Sequence, residues 1–297
     1  MSEVTHQFDE DFTAGSIGGV NWIDEGCAVD LLFDPADGFK HENSAELAEG
    51  IQDLAVAIAK GGMSFDLLLD VIVQPLAHRK KKLLVADMDS TVIGQECIDE
   101  LADYAGIKPQ IAAITERAMR GELDFAAALR ERVALLEGLD AAIIPRCLAE
   151  RIRPNPGAAT LVRTMRLHGA ETILVSGGFT AFVAPIAEAV GFERFVANDL
   201  SVADGQLTGT VEGRIVDSTV KRDTLIEARH RLGLEPSMTL AVGDGANDIL
   251  MIEEAGLGVA FRAKPVLGAA ADARLVHHGL DALLWAQGIP RAEWVLA

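Results

Sequence analysis

The sequence predicts an α/β protein built on a doubly wound parallel sheet, with an inserted helical cap and a small N-terminal α+β domain. Three largely apolar runs and a weaker fourth run support the sheet, at residues 82–86, 172–175, 238–242 and 258–261. A continuous apolar run is typical of a strand buried on both faces of a parallel sheet. Helical patterns alternate with these runs, at residues 157–168, 181–190, 220–232 and 247–255. This alternation indicates the doubly wound arrangement.

Two stretches depart from the alternation. Residues 95–150 are helical in pattern almost throughout, which predicts a cap inserted after the first strand. The Asp204-Gly205 pair lies between alternating segments and predicts a β-hairpin over 200–209. Residues 1–78 show strand-like and helical patterns but no chemical motif. A chain of 297 residues is long enough for two domains, and we divide it into 1–78 and 79–297.

The composition excludes several classes of protein. A net charge of −19 disfavours binding to nucleic acid or to anionic lipid. No apolar run approaches the ~20 residues that cross a bilayer, and the first ten residues lack the features of a secretory signal. Three widely spaced cysteines suit buried thiols in a reducing compartment, so we expect a cytoplasmic protein. The basic cluster at 79–82 is interpreted as a solvated linker rather than as a phosphate contact.

Two carboxylates follow the first predicted strand. Asp87 and Asp89 are two residues apart, so on an extended chain their side chains point the same way. Carboxylates that close repel each other unless a cation or a shared proton lies between them. A turn or a helix cap explains such a pair about as often, so the pair needs partners elsewhere in the sequence.

The partner segment follows another apolar run, at residues 243–248. Asp244 and Asp87 together would offer the carboxylate oxygens that Mg²⁺ prefers. Asn247 and Asp248 begin the next predicted helix, where a capping role is an alternative for Asn247.

A further strand ends in a polar, glycine-containing turn, Ser176-Gly177-Gly178. Its hydroxyl and backbone N–H groups could hold phosphate oxygens, although a plain helix N-cap is the alternative. Lys221, near the start of a predicted helix, is a candidate to neutralise phosphate charge, and a surface lysine is its alternative.

The order of these motifs resembles the haloacid dehalogenase superfamily of phosphohydrolases. Within it, several segments are similar to the phosphoserine phosphatase family, at residues 87–96, 117–125, 129–133, 175–179 and 242–248. The resemblance covers about residues 80–290. Residues 1–78 occupy the place where many members carry an ACT-like amino-acid-binding domain.

The resemblance implies Mg²⁺-dependent hydrolysis of O-phospho-L-serine through an aspartyl phosphate, the last step of serine biosynthesis. Asp87 would be the nucleophile and Asp89 the general acid and base. Magnesium would be held by Asp87, the backbone carbonyl of Asp89 and Asp244. The remaining core positions implied by the family hold phosphate or support the site, and they are Lys221, Ser176, Gly177, Gly178, Asn247, Asp248 and Thr91.

The resemblance also assigns substrate choice to the cap. Glu96 matches the position that receives the substrate ammonium, and Arg132 matches the one that binds its carboxylate. Met119 and Phe125 would form an apolar wall that excludes water. The alternatives are ordinary surface charges for Glu96 and Arg132 and cap core for the other two.

Two rival functions remain open at this stage. A phosphotransferase would use the same aspartyl phosphate but pass it to an acceptor alcohol such as homoserine. A regulatory amino-acid sensor would use residues 1–78 and retain a vestigial catalytic part, which the presence of Asp87, Asp89, Lys221 and Asp244 disfavours. We also expect residues 1–78 to serve regulation or the formation of a homodimer.

Overall fold

A seven-stranded sheet forms the centre of the chain in a computed structural model that describes residues 17–35, 44–62, 68–119 and 122–296. The described strands are β1 (Ile17–Asp24), β2 (Ala28–Phe33), β3 (Leu83–Ala86), β4 (Glu171–Phe179), β5 (Arg194–Ala203), β6 (Gln206–Glu212), β7 (Thr239–Gly243), β8 (Leu257–Phe261) and β9 (Ala273–Leu275). The described helices are α1 (Ser44–Gly62), α2 (Cys97–Tyr104), α3 (Lys108–Met119), α4 (Phe125–Ala134), α5 (Ile143–Arg151), α6 (Ala158–Leu167), α7 (Thr180–Val190), α8 (Ser218–Leu232), α9 (Ile249–Glu254), α10 (Pro265–Gly268) and α11 (Ala282–Ala286).

The central sheet has the strand order β6-β5-β4-β3-β7-β8-β9. All neighbours in it run parallel except β5 and β6, which form the predicted antiparallel hairpin. This arrangement confirms the predicted α/β fold with a mostly parallel sheet. The three strands β4, β3 and β7 are adjacent, so their carboxyl ends meet at the middle of one edge of the sheet.

Strand β3 is buried on both faces, as its apolar run predicts. Leu84 and Ala86 belong to the hydrophobic core on one side of the sheet, and Leu83 and Val85 belong to the core on the other side. The alternation follows from the two-residue period of a strand. Because neither face of β3 meets water, the position at which the strand ends is fixed firmly.

Four helices, α2 to α5, occupy the region predicted as a cap, between β3 and α6. The segment after α4 pairs with the hairpin through its backbone. Gly138 N–H donates to Leu207 O (2.8 Å), Leu207 N–H donates to Leu139 O (2.8 Å), and Ala141 N–H donates to Gly205 O (2.9 Å). The carboxyl-terminal side of α4 is therefore joined to the central sheet.

Strands β1 and β2 form a separate two-stranded antiparallel sheet near the N-terminus. Arg79 binds this hairpin to the main body, because its guanidinium donates to both carboxylate oxygens of Asp30 (2.7 and 2.8 Å) and to the backbone carbonyls of Trp285 and Ala286. The interpretation of residues 79–82 as a solvated linker is therefore wrong. Lys81 is only 6% exposed and donates to Ser237 O (2.8 Å).

The division at residue 78 and the ACT-like character of residues 1–78 stay predictions, as do homodimer formation and a cytoplasmic location. Cys97 and Cys147 are buried thiols as expected, whereas Cys27 is exposed in the turn between β1 and β2. In the described part of the chain, no helix combines the length and the apolar character that crossing a membrane requires.

Asp70 fastens the segment that precedes Arg79 to the loop after β9. Its carboxylate accepts hydrogen bonds from the backbone N–H groups of Val276 (2.8 Å), His277 and His278, and it contacts His278 Nδ1 (2.7 Å). Burial raises the pKa of the Asp70 carboxyl, but the hydrogen bonds from Val276 and from His278 outweigh it and hold the pKa below its usual range.

We expect Asp70→Ala to lower the free energy of unfolding by about 1–3 kcal/mol, because it removes the acceptor for three backbone N–H groups. Urea denaturation of the 297-residue protein measures this loss. Asp53→Ala, which removes an exposed carboxylate on α1, is the control and should change stability by less than about 0.5 kcal/mol. Equal effects of the two substitutions would show that Asp70 does not anchor this segment.

Candidate active site

The carboxyl ends of β3, β4 and β7 bring Asp87, Ser176 and Asp244 to the same edge of the sheet. Asp87 follows β3 directly, and its backbone N–H donates to Val242 O in β7 (3.0 Å). Its carboxylate Oδ1 accepts from the Met88 N–H (2.7 Å). The side chain is buried. Asp87 thus has a fixed orientation before any ligand is considered.

Asp89 lies in the tight turn Met88–Val92, which redirects the chain towards the cap. Ser90 has a φ of 56° in this turn, in the left-handed region that non-glycine residues seldom adopt. Asp89 Oδ1 accepts from the Cys97 N–H at the start of α2 (2.8 Å), and Oδ2 accepts from Ser176 Oγ (3.3 Å). Asp89 is therefore held by a backbone N–H group of α2 on one side and by the hydroxyl group of Ser176 on the other.

Lys221 lies between two carboxylates. Its Nζ is 2.7 Å from Asp87 Oδ1 and 2.7 Å from Asp248 Oδ1, and the side chain is 1% exposed. Burial lowers the pKa of Lys221, but Asp248 and Asp87 outweigh that effect and raise it above its usual range. The surface alternative for Lys221 is wrong, and the side chain is a fixed positive charge beside Asp87.

Asp248 organises the loop after β7. Its Oδ2 accepts from the backbone N–H groups of Asp244 and Gly245 (3.1 Å each), while Oδ1 contacts Lys221. A Cβ on Gly243 would lie 2.5 Å from Asp248 Cγ, closer than two non-bonded carbons can approach. The glycine at 243 therefore makes room for the carboxylate that positions Lys221.

Carboxylate oxygens of Asp87, Asp244 and Asp248 lie within 4.8 Å of one another. Burial, with repulsion from Asp248, raises the pKa of Asp87 well above its usual range and that of Asp244 to about 6. Burial, with repulsion from Glu96, also raises the pKa of Asp89 to about 6. Clustered acidic oxygens with this repulsion fit a divalent cation.

The hydrogen bonds indicate which of these oxygens are free to bind a cation. Both oxygens of Asp248 are already occupied, one by Lys221 and one by two backbone N–H groups. Asp87 Oδ2 has only a long contact, to Asn247 Nδ2 (3.5 Å). The carboxylate of Asp244 also has only long contacts, to Thr91 Oγ1 (3.4 Å) and Lys264 Nζ (3.9 Å). Asp87 and Asp244 are therefore the better candidates to ligate a cation, whereas Asp248 holds the groups around them.

Ser176, Gly177 and Gly178 were predicted as a turn after the strand, but they belong to the last part of β4, where its register with β5 shifts, and they lie beside Asp89. Ser176 Oγ accepts from the Gly178 N–H (2.8 Å). A Cβ on Gly178 would lie 2.9 Å from Asp89 Oδ2, and a Cβ on Gly177 would lie 2.9 Å from Phe125 Cζ. Both glycines thus let side chains of the site approach the turn, and Phe125 closes over it from the cap.

Glu96 and Arg132 reach the site from the cap. Glu96 precedes α2 and accepts from Ser90 Oγ (2.7 Å). Arg132 lies in the last turn of α4, and in the described part of the chain no carboxylate lies within ion-pair distance of it. Burial lowers the pKa of Arg132, while the charges of Asp99, Glu96 and Asp89 oppose that effect. The Met119 side chain lies outside the described residues.

Two residues that support the site, Ser90 and Asn198, were not predicted from the sequence. Ser90 orients Glu96, and its role depends on a backbone conformation that no pattern predicts. Asn198 in β5 donates from Nδ2 to Gly177 O (2.8 Å) and is 1% exposed. A polar residue inside an apolar strand pattern was the signal that could have identified Asn198.

Comparison with known proteins shows which family this chain belongs to. Residues 84–253 match the family model of haloacid dehalogenase-like hydrolases. A phosphoserine phosphatase of a Polaromonas species is 45% identical over 73% of this chain and 94% of its own length. The chain belongs to the phosphoserine phosphatase family of haloacid dehalogenase-like hydrolases. The resemblance inferred from the motifs is thereby confirmed.

A phosphoserine phosphatase of Mycobacterium tuberculosis is 47% identical over 76% of this chain and 55% of its own length. The chain spans 55–63% of the length of three such relatives, from M. tuberculosis, Archaeoglobus fulgidus and Streptomyces coelicolor. A solved structure of a phospho-aspartyl intermediate analogue of phosphoserine phosphatase is similar with a TM-score of 0.64 and 40% identity, over 69% of this chain and 98% of that one.

We expect Gly243→Ala to lower the free energy of unfolding by about 1–3 kcal/mol, because the new methyl group overlaps Asp248 in a packed loop. Gly50→Ala is the matched control. Gly50 lies in the exposed part of α1, and a Cβ there meets nothing within 4 Å, so this substitution should be neutral or stabilising. Urea denaturation compares the two, and a Gly243→Ala protein as stable as wild type would contradict the close packing of Asp248.

Proposed function

We propose that this protein hydrolyses O-phospho-L-serine to L-serine and phosphate through an aspartyl phosphate on Asp87, as the last step of serine biosynthesis. The observation that carries the proposal is the buried Asp87 carboxylate, with Lys221 on one oxygen and the turn containing Asp89 beside it. Membership of the phosphoserine phosphatase family supports the choice of substrate.

The first chemical step forms a bond between an Asp87 oxygen and phosphorus and breaks the bond between phosphorus and the serine oxygen. Asp89 donates a proton to that departing oxygen. In the second step Asp89 takes a proton from water, the water oxygen binds phosphorus, and the bond to Asp87 breaks. The aspartyl phosphate thus divides one displacement into two.

Fixed groups around Asp87 would compensate the negative charge of the phosphate. Lys221 and the backbone N–H groups of the Ser176–Gly178 turn would hold the non-bridging phosphate oxygens. Asp248 keeps Lys221 in place by its contact at 2.7 Å. Asp87 and Asp244, with the backbone carbonyl of Asp89, would hold Mg²⁺, which supplies positive charge between two anions when it is bound.

The cap would select the part of the substrate beyond the phosphate. Arg132 is partly buried, and in the described part of the chain the nearby charges on Asp99, Glu96 and Asp89 are not in ion-pair contact with it. Its guanidinium is therefore available for a carboxylate, which its planar fork can bind through two hydrogen bonds. Glu96 would accept from the substrate ammonium, and Phe125 would exclude water above Gly177.

Phosphate release from O-phospho-L-serine tests the proposal directly. The 297-residue protein with Mg²⁺ should release serine and phosphate in equal amounts, and removal of the metal with a chelator should stop the reaction. Phosphate that appears on an added acceptor alcohol such as homoserine instead of in solution would indicate a phosphotransferase. No turnover of phosphoserine under these conditions would overturn the proposed function.

We expect Asp87→Asn to abolish turnover, because an amide does not attack phosphorus, and Asp89→Asn to lower kcat by about 10²–10⁴-fold. Mass spectrometry of the phosphorylated enzyme, trapped by acid quenching and digestion, should place the phosphoryl group on Asp87. Asp53→Asn, on the exposed face of α1, should leave kcat unchanged. A phosphoryl group on any other residue would contradict the assignment of the nucleophile.

A second prediction tests Arg132. Loss of one partner of a buried charge pair costs about 2–5 kcal/mol, so Arg132→Ala should lower kcat/KM for phosphoserine by roughly 30- to 4,000-fold. Phosphoethanolamine lacks the carboxylate and should be affected far less. Arg130→Ala is the matched control, because Arg130 lies on the exposed face of the same helix. Equal losses for both substrates would mean that Arg132 does not bind the carboxylate.

A further inference from the structure

The phosphate-binding turn interrupts the pairing of β4 with β5. Val175 pairs with Val196 and Phe179 pairs with Asn198, so three residues of β4 lie opposite one residue of β5. The three residues are Ser176, Gly177 and Gly178, and they bulge out of the ladder towards Asp89. A bulge of this kind leaves backbone groups without their partners in the sheet.

The Asn198 side chain supplies a replacement for the lost pairing. Its Nδ2 donates to Gly177 O at 2.8 Å, and its Oδ1 accepts from the Val216 N–H at 2.9 Å. A backbone carbonyl only accepts and a backbone N–H only donates, so these partners determine the orientation of the amide. With 1% exposure, the amide has no water to replace either partner.

The second partner leads to Lys221. Val216 immediately precedes Asp217, whose carboxylate caps α8 by accepting from the Val220 N–H (2.9 Å). Lys221 follows in the first turn of α8, and its own N–H donates to Asp217 O (3.0 Å). One side chain therefore connects the turn that holds Ser176 and Gly177 to the loop that positions Lys221.

The two loops also lie against each other. Val216 O would be 3.5 Å from a Cβ on Gly177. This contact is ordinary van der Waals packing and does not fix a distance, whereas the two hydrogen bonds of Asn198 do. Val216 is buried in the core on one side of the sheet, so the loop cannot move without disturbing that core.

We propose that Asn198 is a positioning residue that sets the separation between the Ser176–Gly178 turn and Lys221, and so the width of the phosphate-binding site. The proposal rests on the proposed function, in which both groups hold the same phosphoryl oxygens. Asn198 itself does not touch the substrate. Because it acts at the phosphate end, its loss affects every phosphomonoester equally, unlike the loss of Arg132.

Asn198→Ala and Asn198→Asp test the proposal. The alanine removes both hydrogen bonds, and the aspartate keeps the acceptor for Val216 but places an oxygen against Gly177 O. Displacement of a reacting group by about 1 Å costs on the order of 10²-fold, so we expect kcat to fall about 10- to 100-fold with Asn198→Ala. The aspartate should be at least as severe. The ratio of kcat/KM for phosphoserine and phosphoethanolamine should stay as in wild type.

Gln287→Ala is the matched control. Gln287 is a 1% exposed amide that also joins two backbone groups, since Nε2 donates to Leu283 O (3.0 Å) and Oε1 accepts from the Lys81 N–H (3.0 Å). It lies at the opposite end of β3 from Asp87. Its loss should lower stability to a similar extent but leave kcat unchanged at a temperature where both variants are folded. Equal kcat losses in the two variants, or an unchanged kcat in Asn198→Ala, would overturn the proposal.

A binding measurement separates this proposal from the proposed function. Calorimetry with inorganic phosphate and Mg²⁺ requires no turnover, and it should show binding about 10- to 100-fold weaker in Asn198→Ala than in wild type or Gln287→Ala. If wild type binds phosphate but does not hydrolyse phosphoserine, the proposed substrate is refuted. The comparison of phosphate binding between the variants still tests the role of Asn198 in that case. Equal phosphate binding by all three proteins would refute the positioning role, and so would a lack of phosphate binding by wild type.

Discussion

The buried ammonium group of Lys221 is the interaction on which the rest of the site depends. Three carboxylates, of Asp87, Asp244 and Asp248, have oxygens within 4.8 Å of one another at the edge of the sheet, where little water reaches them. Burying like charges together is costly unless a positive charge compensates. Lys221 compensates two of them at 2.7 Å. The third carboxylate, on Asp244, has only the distant Lys264 Nζ at 3.9 Å, and this imbalance makes the cluster fit for a metal ion.

The fold supplies what this arrangement requires. Parallel neighbours β4, β3 and β7 present their carboxyl ends together, so residues far apart in the sequence arrive at one edge. Asp248 then uses one oxygen for Lys221 and the other for two backbone N–H groups, and Gly243 leaves the space for it. A loss at Asp248 therefore disturbs both the position of the ammonium group and the loop that carries Asp244. Because these contacts share Asp248, the loss of that one residue changes several parts of the site at once.

Sequence patterns predicted the elements whose signal is local. Continuous apolar runs identified β3, β4 and β7, and the polar residues that follow those runs identified Asp87, Ser176 and Asp244. The burial of Lys221 could not be predicted in this way, because a lysine near the start of a polar helix has the same local pattern whether or not two carboxylates face it. The same holds for Arg79 and Lys81, whose partners lie more than 45 residues away in the sequence. Contacts between segments that are distant in the sequence determine whether these side chains are buried, and the local sequence pattern does not reveal such contacts.

The backbone pairing between residues 138–141 and the β5–β6 hairpin has a consequence for the position of Arg132. Helix α4 ends beside a segment that extends the β5–β6 hairpin by three hydrogen bonds, and Gly209 lets β6 approach Ala134 closely enough for that contact. The pairing ties α4, and with it Arg132, to the sheet whose strand ends carry Asp87 and Asp244. Backbone hydrogen bonds thus hold the helix that carries the guanidinium in register with the edge of the sheet where the carboxylates cluster.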